Sequence, residues 1–164
     1  MELQLKEMGA DAPFVHRRRL RFGESDAASI VYTVRFFDYA LDAIDAWYEA
    51  IAGVSLYDLN TKHGLSCPFV HTEMNFHAPL RPGDDLCVRV LIGRMGRSSL
   101  RFLVEGCLED GSRRFSGQFT VSFIAPTQMK SVSIPGVIAE RVALYQSRCA
   151  EALGFPGPSS LLMS

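Results

Sequence analysis

The sequence predicts an α+β fold in which a curved antiparallel sheet wraps around one long central helix. The first observation is a segment, residues 33–53, whose apolar side chains recur at helical spacing and form a stripe of Phe37, Leu41, Ile44, Tyr48 and Ile51. The second is a succession of four segments with strand-like alternation, over residues 68–77, 86–95, 99–108 and 114–125. Consecutive strands with one apolar face need a hydrophobic filler, which the helix supplies.

The central helix has recognisable start and stop signals. Thr33 is the expected N-cap, acidic residues cluster toward the first turns, and Gly53 is the expected C-terminal stop. A second stripe on this helix is acidic, and we expect it to be solvated or to contact another subunit. Its members are Asp38, Asp42, Asp45 and Glu49.

A first strand is predicted over residues 14–22, with a basic face made by Arg17, Arg19 and Arg21. We favour a charged sheet edge or an ion-paired surface for this face, and the alternative is phosphate binding. The opposite face of the same strand consists of His16, Arg18, Leu20 and Phe22. Residues 55–63 predict a short helix that ends near Gly64, and residues 136–153 predict a terminal amphipathic helix.

The length and charge of the chain limit its architecture and its partners. At 164 residues, one domain over residues 13–153 is the economical interpretation, with a flexible lead at 1–12 and a flexible tail at 154–164. A net charge of −1 gives no electrostatic case for nucleic acid or an anionic membrane. The longest apolar run is far shorter than a membrane span.

The four cysteines argue against a zinc site. Cys67, Cys87, Cys107 and Cys149 lie far apart, without a CxxC pair or grouped histidines. His71, Glu73 and His77 on one strand are better explained as a polar sheet face than as metal ligands, so no metal is expected. Reduced thiols and the lack of a signal-peptide pattern favour a cytoplasmic protein.

Two segments carry a resemblance to a known family. They are residues 22–43, FGESDAASIVYTVRFFDYALDA, and residues 79–90, PLRPGDDLCVRV. The first resembles the signature of hotdog-fold acyl-CoA thioesterases, and is most similar to the 4-hydroxybenzoyl-CoA thioesterase family and its YbgC-like relatives. The second resembles a turn and strand that many hotdog branches share. The resemblance extends from Phe14 to about Pro135 and implies a hotdog fold.

The resemblance also implies roles for individual residues. Asp26 falls on the catalytic aspartate, and the backbone N–H of Thr33 falls where an amide at the helix start faces the thioester oxygen. Tyr32, beside that amide, is grouped with these catalytic residues. Ile30 and Val31, in the apolar approach to the helix, are expected in the substrate pocket.

Three residues differ from the family pattern. Glu24 replaces an aspartate, and Ser29 replaces a glycine. Leu41, a further expected pocket residue, falls near the helix position where members acting on hydroxylated rings carry an acid. A benzoyl-type group without a ring hydroxyl, or a short or medium acyl chain, therefore suits this chain better.

The coenzyme A part of the substrate needs cations for its phosphates. The resemblance places basic residues at the bend after the third strand, where this chain has Arg94, Arg97 and Ser98, and near Lys130. The alternative for each is ordinary surface solubility. No cofactor is implied beyond coenzyme A as part of the substrate, and a homodimer or homotetramer is expected.

The residues around Asp26 are compatible with more than one function. Asp26 acts either as a nucleophile, which forms a mixed anhydride, or as a base that activates water, unless it is only a turn aspartate.

A hotdog hydratase needs an amide and an imidazole where this chain has Val31 and Val34. A non-catalytic acyl-CoA-binding module stays open. The serine-hydrolase elbow is rejected, because the motif around Ser25 lacks its last glycine and the strands do not alternate with helices.

Overall fold

The computed structural model describes residues 2–154 and contains seven strands and three α-helices within them. A single turn of 3₁₀ helix at Phe22–Glu24 and a π-helical turn at Tyr48–Ala52 flank the first α-helix. The elements are, in chain order, β1 (Phe14–Arg19), α1 (Thr33–Trp47), α2 (Leu56–His63), β2 (Phe69–Phe76), β3 (Asp85–Met95), β4 (Ser99–Leu108), β5 (Arg113–Ser122), β6 (Ile124–Ala125), β7 (Lys130–Ser131) and α3 (Gly136–Leu153).

Five of the strands form one antiparallel sheet in the order β1-β3-β4-β5-β2. This sheet packs against α1, and the architecture is the α+β hotdog arrangement that the sequence resemblance implies. The segment predicted as one strand over residues 114–125 is divided, because Phe123 leaves the ladder and its N–H donates to the Ser98 carbonyl over 2.7 Å. The other predicted strands agree with the observed ones within a few residues.

Strand β1 is an edge strand, and its basic face is a charged edge as we favoured. Arg19 forms an ion pair with Asp85 over 3.0 Å, and both side chains are largely exposed. Arg17 donates to the Cys87 Sγ over 2.7 Å. The strand is shorter than predicted, because the chain turns into the 3₁₀ helix after Leu20.

The buried face of α1 is rotated by about one residue from the predicted stripe. Phe37 and Leu41 are only half-buried, while Ile44, Tyr48 and Ile51 are buried as predicted. The small side chains of Ala40 and Ala43 let the helix approach the sheet closely, and a pattern based on large apolar residues does not register them. The buried residues from Thr33 to Ala52 are Phe36, Tyr39, Ala40, Ala43, Ile44, Trp47, Tyr48, Ile51 and Ala52.

The ends of α1 agree only in part with the sequence signals. Tyr32, rather than Thr33, is the N-cap, and it makes no side-chain capping bond. The first turn contains no acid, since Asp38 lies in the second turn. Gly53 ends the helix as predicted, after the π-helical turn, with a φ of 80° that favours glycine.

Helices α2 and α3 form where they were predicted. Ser55 Oγ accepts a hydrogen bond from the Asp58 N–H over 3.0 Å, and Gly64 ends α2 in the left-handed region. Helix α3 packs next to the C-terminal end of α1, where the rings of Tyr145 and Trp47 lie 5.6 Å apart. The Tyr145 hydroxyl donates to the Val90 carbonyl and accepts from the Phe14 N–H.

Residues 2–12 contain no regular secondary structure but are bonded to the domain. The Lys6 and Gly9 amides donate to the carbonyls of Gly53 and Ala50 over 2.8 and 2.7 Å, and Arg141 donates to the Lys6 carbonyl over 2.7 Å. The flexibility of this lead stays a prediction, as do the domain boundaries. Beyond Gly154, the predicted tail lies outside the described residues. Within residues 2–154, no helix combines the length and apolarity needed to cross a bilayer.

Candidate active site

The loop that carries Asp26 is a tight, internally bonded turn. The Asp26 N–H donates to the Ile30 carbonyl over 2.9 Å, and the Asp26 carbonyl accepts from the Ser29 N–H over 3.0 Å. Ser29 has a φ of 56°, a left-handed conformation that glycine adopts more readily. The turn geometry suited to glycine is thus present here with serine.

The Asp26 carboxylate is half-buried and oriented by its own turn. Its Oδ1 accepts hydrogen bonds from the N–H groups of Ala28 and Ile30, over 2.8 and 3.4 Å. Within residues 2–154, hydrogen bonds to this carboxylate come only from that turn. Asp26 therefore has the structural role of a turn aspartate, and the turn fixes the direction of its carboxylate. Its catalytic role stays a prediction.

The start of α1 presents free backbone amides. The Arg35 N–H donates to the Tyr32 carbonyl, whereas the Thr33 and Val34 N–H groups have no acceptor among the described residues. Both residues are exposed. Unsatisfied amides at the positive end of a helix dipole are suited to an anionic oxygen.

Three main-chain contacts hold the Asp26 loop beside these amides. Ser25 and Val31 form an isolated antiparallel bridge, and the Tyr32 N–H donates to the Glu24 carbonyl over 3.2 Å. The Val31 N–H donates to the Leu80 carbonyl over 2.9 Å. The loop with the carboxylate and the helix start therefore belong to one hydrogen-bonded unit.

The expected pocket residues around this unit differ in burial. Val31 is only 3% exposed, so within one chain its side chain packs in the hydrophobic core. Ile30 is half-buried, and Tyr32 is 52% exposed beside the free amides.

Leu41 lies on the half-buried face of α1 that points away from the centre of the core. It follows Phe37 by one helical turn and Thr33 by eight residues, which is about 12 Å along the axis. The rings of Phe37 and Phe69 both pack against the ring of Phe119, with centroid distances of 6.1 and 6.2 Å. An aromatic wall therefore borders Leu41's face of the helix.

The residues expected to bind coenzyme A phosphates lie together at another place. Arg97 donates to Ser133 Oγ over 3.4 Å, and the carbonyls of Arg97 and Ser98 accept from the amides of Ile134 and Phe123. Lys130 pairs with Ala125 in the adjacent β6–β7 hairpin. Arg94 lies near the end of β3, just before this turn, and is exposed.

The single chain separates these cations from Asp26. The Asp26 loop is bonded to Leu80, at the end of the sheet where β3 begins, whereas Arg97 and Ser98 form the turn where β3 ends. The two ends of the sheet are about 30 Å apart, because β4, which runs between them, has ten residues. One copy of the chain does not bring the two groups together.

Sequence reasoning missed a charged network behind the Asp26 loop. The Glu24 carboxylate accepts from the Arg18 guanidinium, and also from the Arg21 N–H over 2.6 Å, with the side chain only 14% exposed. The Arg18 guanidinium carbon lies 4.5 Å from the centre of the Tyr39 ring. Burial, and then the negative charge of Glu24, raise the pKa of Tyr39. The available signal was the position of Arg18 on the strand face opposite the basic face, two residues before Leu20.

Possible metal ligands do not converge in the described part of the chain. His71 Nε2 and Glu73 Oε2 are 3.5 Å apart on β2, and the His77 ring bonds to Ser116 Oγ over 2.8 Å. Residues 2–154 contain no group of three or more histidine, cysteine or acidic side chains arranged to hold a metal ion.

Comparison with known proteins gives concordant results at the sequence and fold levels. The profile of the thioesterase-like superfamily matches residues 20–142. A 1,4-dihydroxy-2-naphthoyl-CoA hydrolase of Prochlorococcus marinus (strain NATL2A) is 28% identical over 137 residues, which cover 78% of this chain and 79% of that protein. These findings support the superfamily rather than the 4-hydroxybenzoyl-CoA or YbgC-like branch specifically.

Solved structures give the same result. A thioesterase-superfamily protein of Jannaschia sp. CCS1 has a TM-score of 0.74 and 33% identity, over 85% of this chain and 96% of its own. A Staphylococcus aureus protein in complex with CoA has a TM-score of 0.77 at 15% identity, over 90% of this chain and 89% of its own. The chain belongs to the thioesterase-like superfamily, with the hotdog fold.

Proposed function

We propose that this protein hydrolyses the thioester of an aromatic acyl-CoA, with Asp26 as nucleophile or general base. One observation carries the proposal: a carboxylate of fixed direction and two free helix-start amides belong to the same bonded unit. Membership in the superfamily and relatives named as CoA hydrolases support a thioester hydrolase.

A thioester makes modest demands on such a site. The thiolate leaves readily, so the site must supply an attacking group and stabilise the developing oxyanion. Asp26 attacks the carbonyl to form a mixed anhydride that water cleaves, or it removes a proton from the attacking water. The Thr33 N–H, with Val34 beside it, stabilises the oxyanion. One such donor contributes about 3 kcal/mol to lowering the barrier.

The nature of the acyl group follows from the environment of α1. The curated relative acts, by its name, on a dihydroxynaphthoyl thioester. In this chain Leu41 offers no acceptor for a ring hydroxyl, and Phe37 and Phe119 border the same face. We therefore propose a small aromatic group of the benzoyl type, with short or medium acyl chains as the alternative.

The open edge of β2 supports a homodimer. The His77 N–H donates to the Arg114 carbonyl in β5, so the alternate residues Thr72 and Met74 direct their N–H groups to the free edge. Val70 and Phe76 on this strand are 61% and 48% exposed. Unpaired backbone groups next to exposed apolar side chains favour pairing with the same strand of a second copy.

Antiparallel pairing of two β2 strands completes the site. The pairing reverses the second copy, so its β3–β4 turn lies at the end of the sheet that carries Asp26 of the first. Arg97, Ser98 and Lys130 of one subunit, with Arg94 nearby, then face the coenzyme A phosphates bound at the neighbour's Asp26. The homotetramer and the cytoplasmic location stay predictions.

The test is a cleavage assay with benzoyl-, hydroxybenzoyl-, phenylacetyl- and aliphatic CoA thioesters. Wild type is expected to release CoA thiol fastest from an aromatic substrate. Asp26→Asn should lower kcat by about 100- to 10,000-fold. The matched control is Asp85→Asn, at an exposed carboxylate paired with Arg19. Equal rates for wild type and Asp26→Asn overturn the mechanism, and calorimetric binding without thiol release favours the non-catalytic module.

A further inference from the structure

We infer that Arg18 is a positioning residue for this reaction and acts on Asp26 through Glu24. The inference rests on the proposed function, because it concerns how the loop with Asp26 is held. Arg18 belongs to β1 and lies behind the loop, so its role differs from that of groups that touch the substrate.

Arg18 connects three elements of the fold. Its guanidinium binds the Glu24 carboxylate on the loop and reaches Asp42 on α1 over 3.3 Å. The same group lies over the ring of Tyr39, also on α1. The Arg18 side chain is only 25% exposed, so these contacts are partly shielded from solvent. A strand, a loop and a helix are thus joined by one cation.

Glu24 connects Arg18 to the segment that carries the reacting groups. Its side chain is held by Arg18, while its carbonyl accepts the Tyr32 N–H at the start of α1. Ser25, the next residue, bridges to Val31, and Asp26 follows. The carboxylate of Asp26 and the amide of Thr33 are therefore positioned through the same residue.

Arg18 also supplies the cation for Glu24, two residues before Asp26. Glu24 contacts the Arg18 cation from β1 and the Arg21 N–H from its own segment, and the Tyr39 ring of α1 lies against the same guanidinium. Asp42 lies on the other side of Arg18. Without Arg18, the Glu24 side chain, which is only 14% exposed, loses its cation in the segment that leads into Asp26.

The experiment compares Arg18→Met, Arg18→Lys and the double variant Arg18→Met/Glu24→Gln across the pH range with the preferred thioester. Arg18→Met should lower kcat about 10- to 100-fold with KM changed less than about three-fold, since misplacement acts on the reacting geometry. The acid limb of its kcat/KM profile should move up by about one pH unit. In the double variant, which carries neither charge, the limb should return to its wild-type position.

Arg18→Lys keeps the charge and should leave the acid limb in place while kcat falls, because an ammonium group does not hold two carboxylates in fixed geometry. The matched control, Arg19→Met, removes an exposed cation on the same strand and should behave as wild type. Circular dichroism verifies folding, and the lysine and double variants carry the test if Arg18→Met does not fold.

Two results overturn the inference: folded Arg18 variants with wild-type kcat and pH profile, or an acid limb displaced equally in the single and double variants. Absence of thioester cleavage by the wild type overturns the proposed function instead. Unchanged kinetics in an active enzyme overturn only the role of Arg18.

Discussion

The ring of Phe36, at the start of α1, packs edge-on against the ring of Phe76, at the end of β2, with centroids 5.2 Å apart and an interplanar angle of 84°. Phe36 is buried, whereas Phe76 keeps half of its surface exposed. The helix start beside Asp26 is therefore in direct contact with the open edge of the sheet. A second subunit bound at that edge would therefore lie next to the helix start.

Replacing Thr72 by proline tests whether the β2 edge is a subunit interface. The N–H of Thr72 points to the free edge, so proline removes a donor to a second copy without removing a bond to β5. We expect Thr72→Pro to be monomeric by analytical ultracentrifugation and to lose most thioesterase activity.

The matched variant for this experiment is Thr72→Val, which keeps the N–H and a β-branched side chain. It should assemble and react like wild type. A fully active Thr72→Pro monomer contradicts the proposed interface, because the site is then complete within one chain.

Mixed dimers test whether Asp26 and Arg97 of different subunits share a site. Asp26→Asn removes the reacting carboxylate, and Arg97→Ala removes a cation proposed to bind CoA phosphate. Each homodimer should be impaired, the second mainly by a raised KM. Mixing the two variants creates dimers in which one site carries both changes and the other carries neither. Activity should therefore recover when the subunits exchange.

The recovery is measured as kcat/KM after refolding the two variants together. A control mixture replaces Arg97→Ala by Lys62→Ala, at a cation on α2 that is paired with Asp58. That mixture should gain only the activity of its intact subunits. No recovery with Arg97→Ala means that the two residues act within one chain, contrary to the proposal.

Leu41 is expected to control the response to a ring hydroxyl. An aspartate at this half-buried position accepts a hydrogen bond from a hydroxylated ring and disfavours an apolar one. Leu41→Asp should raise the ratio of kcat/KM for 4-hydroxybenzoyl-CoA over benzoyl-CoA by about ten-fold or more. Leu144→Asp, at an exposed position on α3, should leave the ratio unchanged. If kcat/KM falls by the same factor for both substrates, Leu41 lies outside the acyl pocket.

The order of elements could be predicted from the sequence because each one depends on a local pattern. Helix α3 and strand β4 have the predicted bounds, and Gly53 and Gly64 end their helices as expected. The burial of α1 was predicted less well, since the close contact at Ala40 and Ala43 depends on the tertiary structure. Thr33 was misassigned as a cap for a similar reason: main-chain bonds to Glu24 fix the chain there instead of a side chain.

The candidate site was predictable only where it is local. Asp26 and Thr33 are seven residues apart, and the intervening turn brings them into one unit. Arg97 lies at the other end of the sheet, so its relation to Asp26 depends on a second subunit that no single-chain pattern describes. The network of Arg18 and Glu24 joins a strand to a loop and was signalled only by a cation on the strand face opposite the basic one.

Two partly buried thiols should react slowly with alkylating agents at neutral pH. Burial raises the pKa of Cys67 to about 12. Burial, a hydrogen bond to Glu105 and the charge of that carboxylate raise the pKa of Cys107 to about 11. Because the thiolate is the reacting form, iodoacetamide labelling of both, followed by peptide mass spectrometry, should keep rising beyond pH 9.

The raised pKa of Cys107 also makes the stability of the folded protein depend on pH. An unfolded thiol loses its proton near pH 9, whereas Cys107 keeps it in the folded state to about pH 11. The stability linked to that proton is present below pH 9 and is lost as the pH rises through 11.

Protein unfolded in urea is the control for the labelling experiment, in which all four cysteines should react alike. Equal rates in folded and unfolded protein at pH 8 contradict the shifts.

Gly106 should be intolerant of alanine, because its missing side chain makes room for Phe115 on the neighbouring strand. Gly106 and Phe115 are cross-strand partners, and a Cβ on Gly106 would overlap the ring, with Phe115 Cζ at 2.6 Å. The ring cannot move freely, since it also packs against Phe36, with the ring centroids 5.6 Å apart. We expect Gly106→Ala to lower the free energy of unfolding by about 1–3 kcal/mol in urea denaturation. Gly136→Ala, at the open first position of α3, should be neutral or stabilising by up to about 1 kcal/mol. Equal stabilities for the two variants would mean that Phe115 does not occupy the space above Gly106.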